Sequence, residues 1–246
     1  MSNKNYGTLD EEAHNNNNNN LNPLNNTSYT VKDIRIGFIK KVYSIIFVQL
    51  LLTTTIVFAC MSITGLKRFQ LENPAVKWIC FGILVVILIM LACFTETFKK
   101  VPLNYILLLI FTLCESYLTA LLCNTTEPRL VLMAACLTTG IVLALTLYAC
   151  VTDTDYTRLG AILFCAGMIL LVGSILLIFV YNKVLHLVLT CLGVLLFSIY
   201  LIYDTQLILG RGKYKLTEDD YIIGALIVYA DIIALFSELL TLLRLT

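Results

Sequence analysis

Apolar runs of about twenty residues alternate with short polar connections from residue 42 to residue 243. Runs of that length read as membrane-spanning helices, because about 20 residues rising ~1.5 Å each cross the ~30 Å hydrocarbon core of a bilayer. The pattern predicts spans over 42–63, 76–97, 103–123, 130–150, 159–181, 185–209 and 221–243. Helix breakers and charges fall between them, as in Asn73-Pro74, Lys99-Lys100-Val101-Pro102, Glu127-Pro128-Arg129 and Gly210-Arg211-Gly212-Lys213. Links this short make successive spans antiparallel. The expected fold is an all-α integral membrane protein, a seven-helix transmembrane domain over residues 32–246. Residues 1–31 are polar, include an asparagine run at 15–20, and are expected to form a disordered cytosolic tail.

Composition agrees with the pattern. The chain is 59% apolar and 13% charged, with mean hydropathy +0.87, against roughly 25% charged residues in a soluble domain. Net charge is +1 and no block of Lys or Arg stands out, so no nucleic-acid partner is expected. Lysines and arginines near the span ends favour one side: Lys32, Arg35, Lys40, Lys41, Lys99, Lys100, Arg158, Arg211, Lys213 and Lys215 fall together when the N-terminus is cytosolic. Asn124-Thr125-Thr126 is then a lumenal glycosylation sequon, set close to the membrane. The nine cysteines form no CxxC pair and have no nearby histidine, so they read as small packing residues and not as metal ligands. Catalysis is not expected either. The only histidines are His14 and His186, and no Gly-x-Ser-x-Gly elbow occurs.

The carboxylates that need explaining inside the apolar runs are Glu115 in the third, Asp204 in the sixth, and Asp231 and Glu238 in the seventh. An acid at the bilayer centre costs about 2.5–3.5 kcal/mol on insertion scales, so such residues turn toward the bundle interior. No lysine or arginine sits at matching depth within the predicted runs, which leaves protonation, acid–acid pairing, water or a bound cation. Counted from the predicted helix ends, Asp204 and Asp231 lie about 8 and 15 Å deep. Tilt on an antiparallel pair brings their carboxyls together. Two facing carboxylates in a poorly hydrated site cannot both ionise easily, so they exchange protons as a unit or hold a cation. Ca²⁺ takes hard oxygen ligands, which makes Asp204 and Asp231 the candidate metal ligands. Asp231 and Glu238, seven residues apart, share a helical face. Plainer roles stand beside these: Glu238 can snorkel to its helix end, Glu115 can hydrogen-bond between helices, and Glu218, Asp219 and Asp220 suit a helix N-terminus.

The segments Ile34-Arg35, Phe38-Ile39-Lys40-Lys41-Val42-Tyr43, Gln49-Leu50-Leu51-Leu52-Thr53 and Pro102-Leu103-Asn104 form a recognisable series. It continues through Ala144-Leu145-Thr146-Leu147-Tyr148 and Asp155-Tyr156-Thr157-Arg158-Leu159-Gly160 to Ile202-Tyr203-Asp204-Thr205-Gln206 and Tyr229-Ala230-Asp231-Ile232-Ile233. With these segments the chain resembles the transmembrane Bax inhibitor motif family, in its Lifeguard and Golgi anti-apoptotic branch. The resemblance implies a seven-helix bundle with the last helix surrounded by the other six, in endoplasmic reticulum or Golgi membranes. It implies a pH-sensitive Ca²⁺ leak that modulates store Ca²⁺ and inhibits apoptosis, with Asp204 and Asp231 as a di-aspartyl pH sensor. Asp219 matches an acidic position implicated in conduction, and Glu115 a glutamate that relatives also carry. The expected pH sensor and cation path is therefore Asp204, Asp231, Asp219, Glu115 and Glu238. Partners are then membrane lipid, H⁺ and Ca²⁺, the last as permeant or bound ion, with no other cofactor. The alternative is a non-conducting membrane interaction protein that suppresses cell death by binding other membrane proteins; apoptosis-regulating membrane proteins and a homo-oligomer complete the partner expectations.

Overall fold

The computed structural model describes residues 23–246, with side chains from Asp33 onward. Residues 1–22 of the expected tail lie outside the described residues, and helix α1 (Pro23–Ser62) begins within the remainder of it. The chain divides into two units, Met1–Phe38 and Ile39–Thr246. In the first, the Arg35 guanidinium stands 4.8 Å from the centroid of the Phe38 ring. The second contains the helical bundle.

Among the described residues, seven helices are long and apolar enough to cross a membrane: Asp33–Ser62, Pro74–Cys93, Leu103–Asn124, Pro128–Val151, Tyr156–Phe179, Lys183–Leu209 and Glu218–Leu245. Each overlaps a predicted run, with two informative differences at the edges. The first starts at Asp33 and not at 42, so Arg35, Lys40 and Lys41 lie on the spanning helix instead of ahead of it. The second stops at Cys93, short of the predicted 97. Phe94 leaves helical geometry (φ −132°, ψ 52°), and a 3₁₀ turn, Thr95–Lys99, follows. That turn is closed by an ion pair of Lys99 with Glu96 at 3.0 Å.

Helix α2 (Thr64–Glu72) is an unpredicted short helix in the first connection. It leads into α3 (Pro74–Cys93), α4 (Leu103–Asn124) and α5 (Pro128–Val151). After a 3₁₀ turn at Tyr156–Leu159 come α6 (Gly160–Phe179), α7 (Lys183–Leu209), a second turn at Glu218–Asp220, and α8 (Tyr221–Leu245). Local signals set the ends. Prolines occupy the first turns of α3 and α5, where a missing N–H costs nothing. The Asn182 side chain caps α7 by accepting from the N–H groups of Val184 and Leu185 at 2.9 and 3.2 Å. Gly210 ends the same helix at φ 68°.

The last helix is the core element. It packs along α7 and against α5 and α4, and Tyr229 joins it to α1 through a 2.7 Å hydroxyl contact with Thr53. Of its most apolar stretch, 44% is buried inside the protein, against 6% for the fifth span, whose helix α6 packs mainly on α7. Ile222, Leu226, Tyr229 and Ile233 join Leu84, Ile87, Leu108 and Phe111 in one apolar cluster. Outward faces carry large apolar side chains such as Phe47, Phe58 and Ile178, 67–75% exposed, as a surface solvated by lipid requires.

Candidate functional site

Asp204 sits on α7 and Asp231 on α8, along the most extensive helix–helix contact of the bundle. Both are sealed, at 6% and 7% exposure, and their carboxyl groups lie within hydrogen-bonding reach of each other. Asp231 Oδ2 is buried without a hydrogen-bond partner. The ion pairs formed within residues 39–246 join Arg68 to Glu72, Lys99 to Glu96 and Asp220, and Arg158 to Asp155, and none touches either aspartate. Tyr200, one turn before Asp204, stands close enough to sense both charges. Two carboxyl oxygens at this separation attract when a proton lies between them and repel when both groups are ionised.

The other predicted acids are placed differently. Glu238 follows Asp231 on the same face of α8, and its carboxyl rests on α7 at Gly193. A Cβ there would lie 2.8 Å from Glu238 Cδ and 3.1 Å from Oε1, so the absence of a side chain creates the seat. Glu115, half-buried on α4, adjoins Tyr229 and does not join the aspartates. Nearby, hydroxyl contacts run from Tyr229 to Thr53 and from Thr53 to Ser116, at 2.7 and 2.9 Å. Asp219 is exposed in the turn before α8, ahead of Asp231 by twelve residues or about 18 Å of helix. Its neighbour Asp220 makes the contacts instead. Asp220 accepts from the Thr217 N–H at 2.9 Å and lies 3.6 Å from Lys99 Nζ. The hydrogen bond from Lys99 to Glu96, then the charge of Asp220, hold the Lys99 ammonium above its ordinary pKa. Among the described residues, no three His, Cys, Asp or Glu side chains converge as a metal cluster, and all nine cysteines are free thiols.

Two residues without an assigned role in the sequence reading, Gln206 and Asp155, tie down the chain beside the aspartate pair. Gln206, 2% exposed and two residues past Asp204, accepts from the Tyr156 N–H at 2.8 Å and donates to the Thr154 carbonyl at 2.9 Å. Asp155 accepts from the Thr157 hydroxyl and N–H at 2.5 and 3.1 Å, from Arg158 Nε at 2.9 Å, and from the Lys213 N–H at 3.1 Å. The Thr157 hydroxyl leads these in holding the Asp155 carboxyl below the ordinary aspartate range. Gly212 passes so close to Asp155 and Thr157 that any Cβ would collide with them, and Arg211 donates to the Cys150 carbonyl. The α5–α6 and α7–α8 connections are thus clasped together at the end of α7 that carries Asp204. A polar glutamine closing an apolar run was the available signal; its partners, fifty residues earlier, had none.

The sequon residue Asn124 is also committed. It is 8% exposed at the end of α4, and its amide nitrogen donates to Gln70 Oε1 of α2 at 2.6 Å.

A family model described as "Inhibitor of apoptosis-promoting Bax1" matches residues 35–246. The chain is 35% identical over 216 residues to protein lifeguard 3 of Homo sapiens, covering 86% of this chain and 70% of that one. It is 34% identical over 215 residues to the Mus musculus protein of the same name. To protein lifeguard 4 of Mus musculus it is 38% identical over 214 residues, covering 86% of each.

Proposed function

The chain belongs to the Bax inhibitor family, with Lifeguard proteins among its relatives, and from that premise we propose a pH-sensitive Ca²⁺ leak of intracellular membranes that modulates stored Ca²⁺ and restrains apoptosis. The carboxyl-to-carboxyl contact of Asp204 and Asp231 carries the reading. With a shared proton in place, the contact draws α7 and α8 together. When the proton leaves, two charges about 4 Å apart repel by about 4 kcal/mol at an effective dielectric of ~20. A two-state bundle responds to that energy with a shift of about a thousandfold. The separated carboxylates then offer hard oxygens to a passing cation, with Glu238 as the next oxygen along α8, Glu115 as a flanking acid, and Asp219 at the mouth. Two carboxylates fall short of the six to eight oxygens a resident Ca²⁺ takes, so Ca²⁺ is cargo here. Lysines and arginines near the span ends orient the N-terminus toward the cytosol.

Proteoliposomes loaded with a Ca²⁺ indicator test the proposal. The leak is expected to rise with pH in the native protein and to lose that dependence in Asp204→Asn and Asp231→Asn, where an amide N–H replaces the titrating proton. An unchanged pH profile in both variants refutes the aspartate mechanism. A second reading, a non-conducting protein that suppresses cell death by binding other membrane proteins, is favoured by the family description, which names another protein as the object of inhibition. Protein in pure lipid that passes no Ca²⁺ at any pH supports this second reading.

A further inference from the structure

A groove of about 520 Å³ opens on the outer face of the bundle between α1 and α4. Its α1 wall is the stripe Lys41, Ser44, Ile45, Val48 and Leu52, at helical spacing. Lys41 to Leu52 spans eleven residues or about 16 Å, the depth of one leaflet of a ~30 Å hydrocarbon core. Two contacts tie α1 to α4: within the groove Gln49 Nε2 donates to Thr112 Oγ1 at 2.9 Å, and just past Leu52 the Thr53 and Ser116 hydroxyls meet at 2.9 Å. The groove is therefore open to lipid along its length and closed at its inner end.

Its mouth is polar and positive. Lys41 and Ser44 line it and are exposed, and Lys40, also exposed, precedes them on α1. The Lys41 ammonium sits 3.2 Å from the centroid of the Tyr221 ring, and that ring is itself held by hydroxyl contacts to Tyr105 and Asn104 at 3.3 and 3.5 Å. A cation–π contact fixes the ammonium at the rim. An apolar slot one leaflet deep, rimmed by the fixed Lys41, the exposed Lys40 beside it and two tyrosine hydroxyls, complements a lipid with an anionic head.

We propose that this groove binds one anionic phospholipid, with an acyl chain along Ile45, Val48 and Leu52 and the phosphate at Lys40, Lys41 and the Tyr105 hydroxyl. The site is separate from the aspartate pair and does not depend on the leak.

The full-length protein, purified into nanodiscs and released for native mass spectrometry, tests it with phosphatidylserine and phosphatidylcholine as the probes. The native protein is expected to retain one phosphatidylserine in preference to phosphatidylcholine. Each lysine replaced in Lys40→Gln and Lys41→Gln should weaken retention about fivefold, equivalent to ~1 kcal/mol, whereas Lys41→Arg retains it. Val48→Trp fills the slot with both lysines intact and should also lose the lipid. Circular dichroism and thermal melting confirm that each variant remains folded. Equal retention of the two lipids, lysine variants that bind like the native protein, or a Val48→Trp protein that still holds phosphatidylserine would each overturn the proposal.

Discussion

Replacing Gln206 with leucine removes the clasp beside Asp204 while keeping the side-chain bulk. The glutamine makes two backbone hydrogen bonds, to the Tyr156 N–H at 2.8 Å and the Thr154 carbonyl at 2.9 Å. Each is worth about 0.5–1.5 kcal/mol net. Both partners belong to a connection with access to water, so the loss stays near that net value, about 2 kcal/mol in all. That energy corresponds to roughly thirtyfold in the opening equilibrium of the α5–α6 connection. Hydrogen exchange followed by mass spectrometry reads it directly, as faster exchange of the amides around 154–158 with the span interiors unchanged. With the clasp loosened, the end of α7 carrying Asp204 gains freedom, and the proposed Ca²⁺ leak should rise at every pH. Native exchange in the Gln206→Leu connection would refute this reasoning.

Tyr229→Phe deletes a 2.7 Å contact with Thr53 at a fully buried position, and should destabilise the protein by about 1–2 kcal/mol, seen as a lower melting temperature in detergent. The Asp155 clasp has a defined acid limit. Because the folded carboxyl is held below its ordinary range, its contribution is complete above a pH of about 4 and is lost only as pH falls through the lower folded value. Exchange of the 153–158 amides should thus hold steady from neutrality to mild acid and rise in strong acid, a dependence absent from Asp155→Asn. Asn124 carries no glycan in the folded protein, because its amide nitrogen is buried against Gln70. Endoglycosidase should leave the gel mobility unchanged.

The spans were legible because lipid demands uninterrupted apolar length, a property visible one residue at a time. The edges were not, because a helix continues into polar sequence where hydropathy no longer reports it, as α1 does through Lys40 and Lys41. Helix α2 escaped for a related reason: Thr64–Glu72 is short and mixed in polarity, and it is fixed by Gln70 meeting Asn124 at the far end of α4. The aspartate pair could be approached by counting residues from two helix ends, which gives depths of about 8 and 15 Å on antiparallel neighbours and leaves tilt to close the difference. Depth does not give direction around the helix. Glu115 shares the interior but faces Tyr229 instead of the pair. The seat of Glu238 on Gly193 belongs to packing between α7 and α8 and leaves no trace in either helix alone.

The proposed sharing of a proton between Asp204 and Asp231 is tested most directly by infrared spectroscopy of the reconstituted protein, titrated while Ca²⁺ flux is recorded on the same vesicles. A protonated-carboxyl band is expected that fades as pH rises, in step with the onset of leak, and that shifts and weakens in both Asp204→Asn and Asp231→Asn, where the one remaining carboxyl has lost its acid partner. A band indifferent to those replacements, or a leak that changes with pH while the band stays constant, would contradict it.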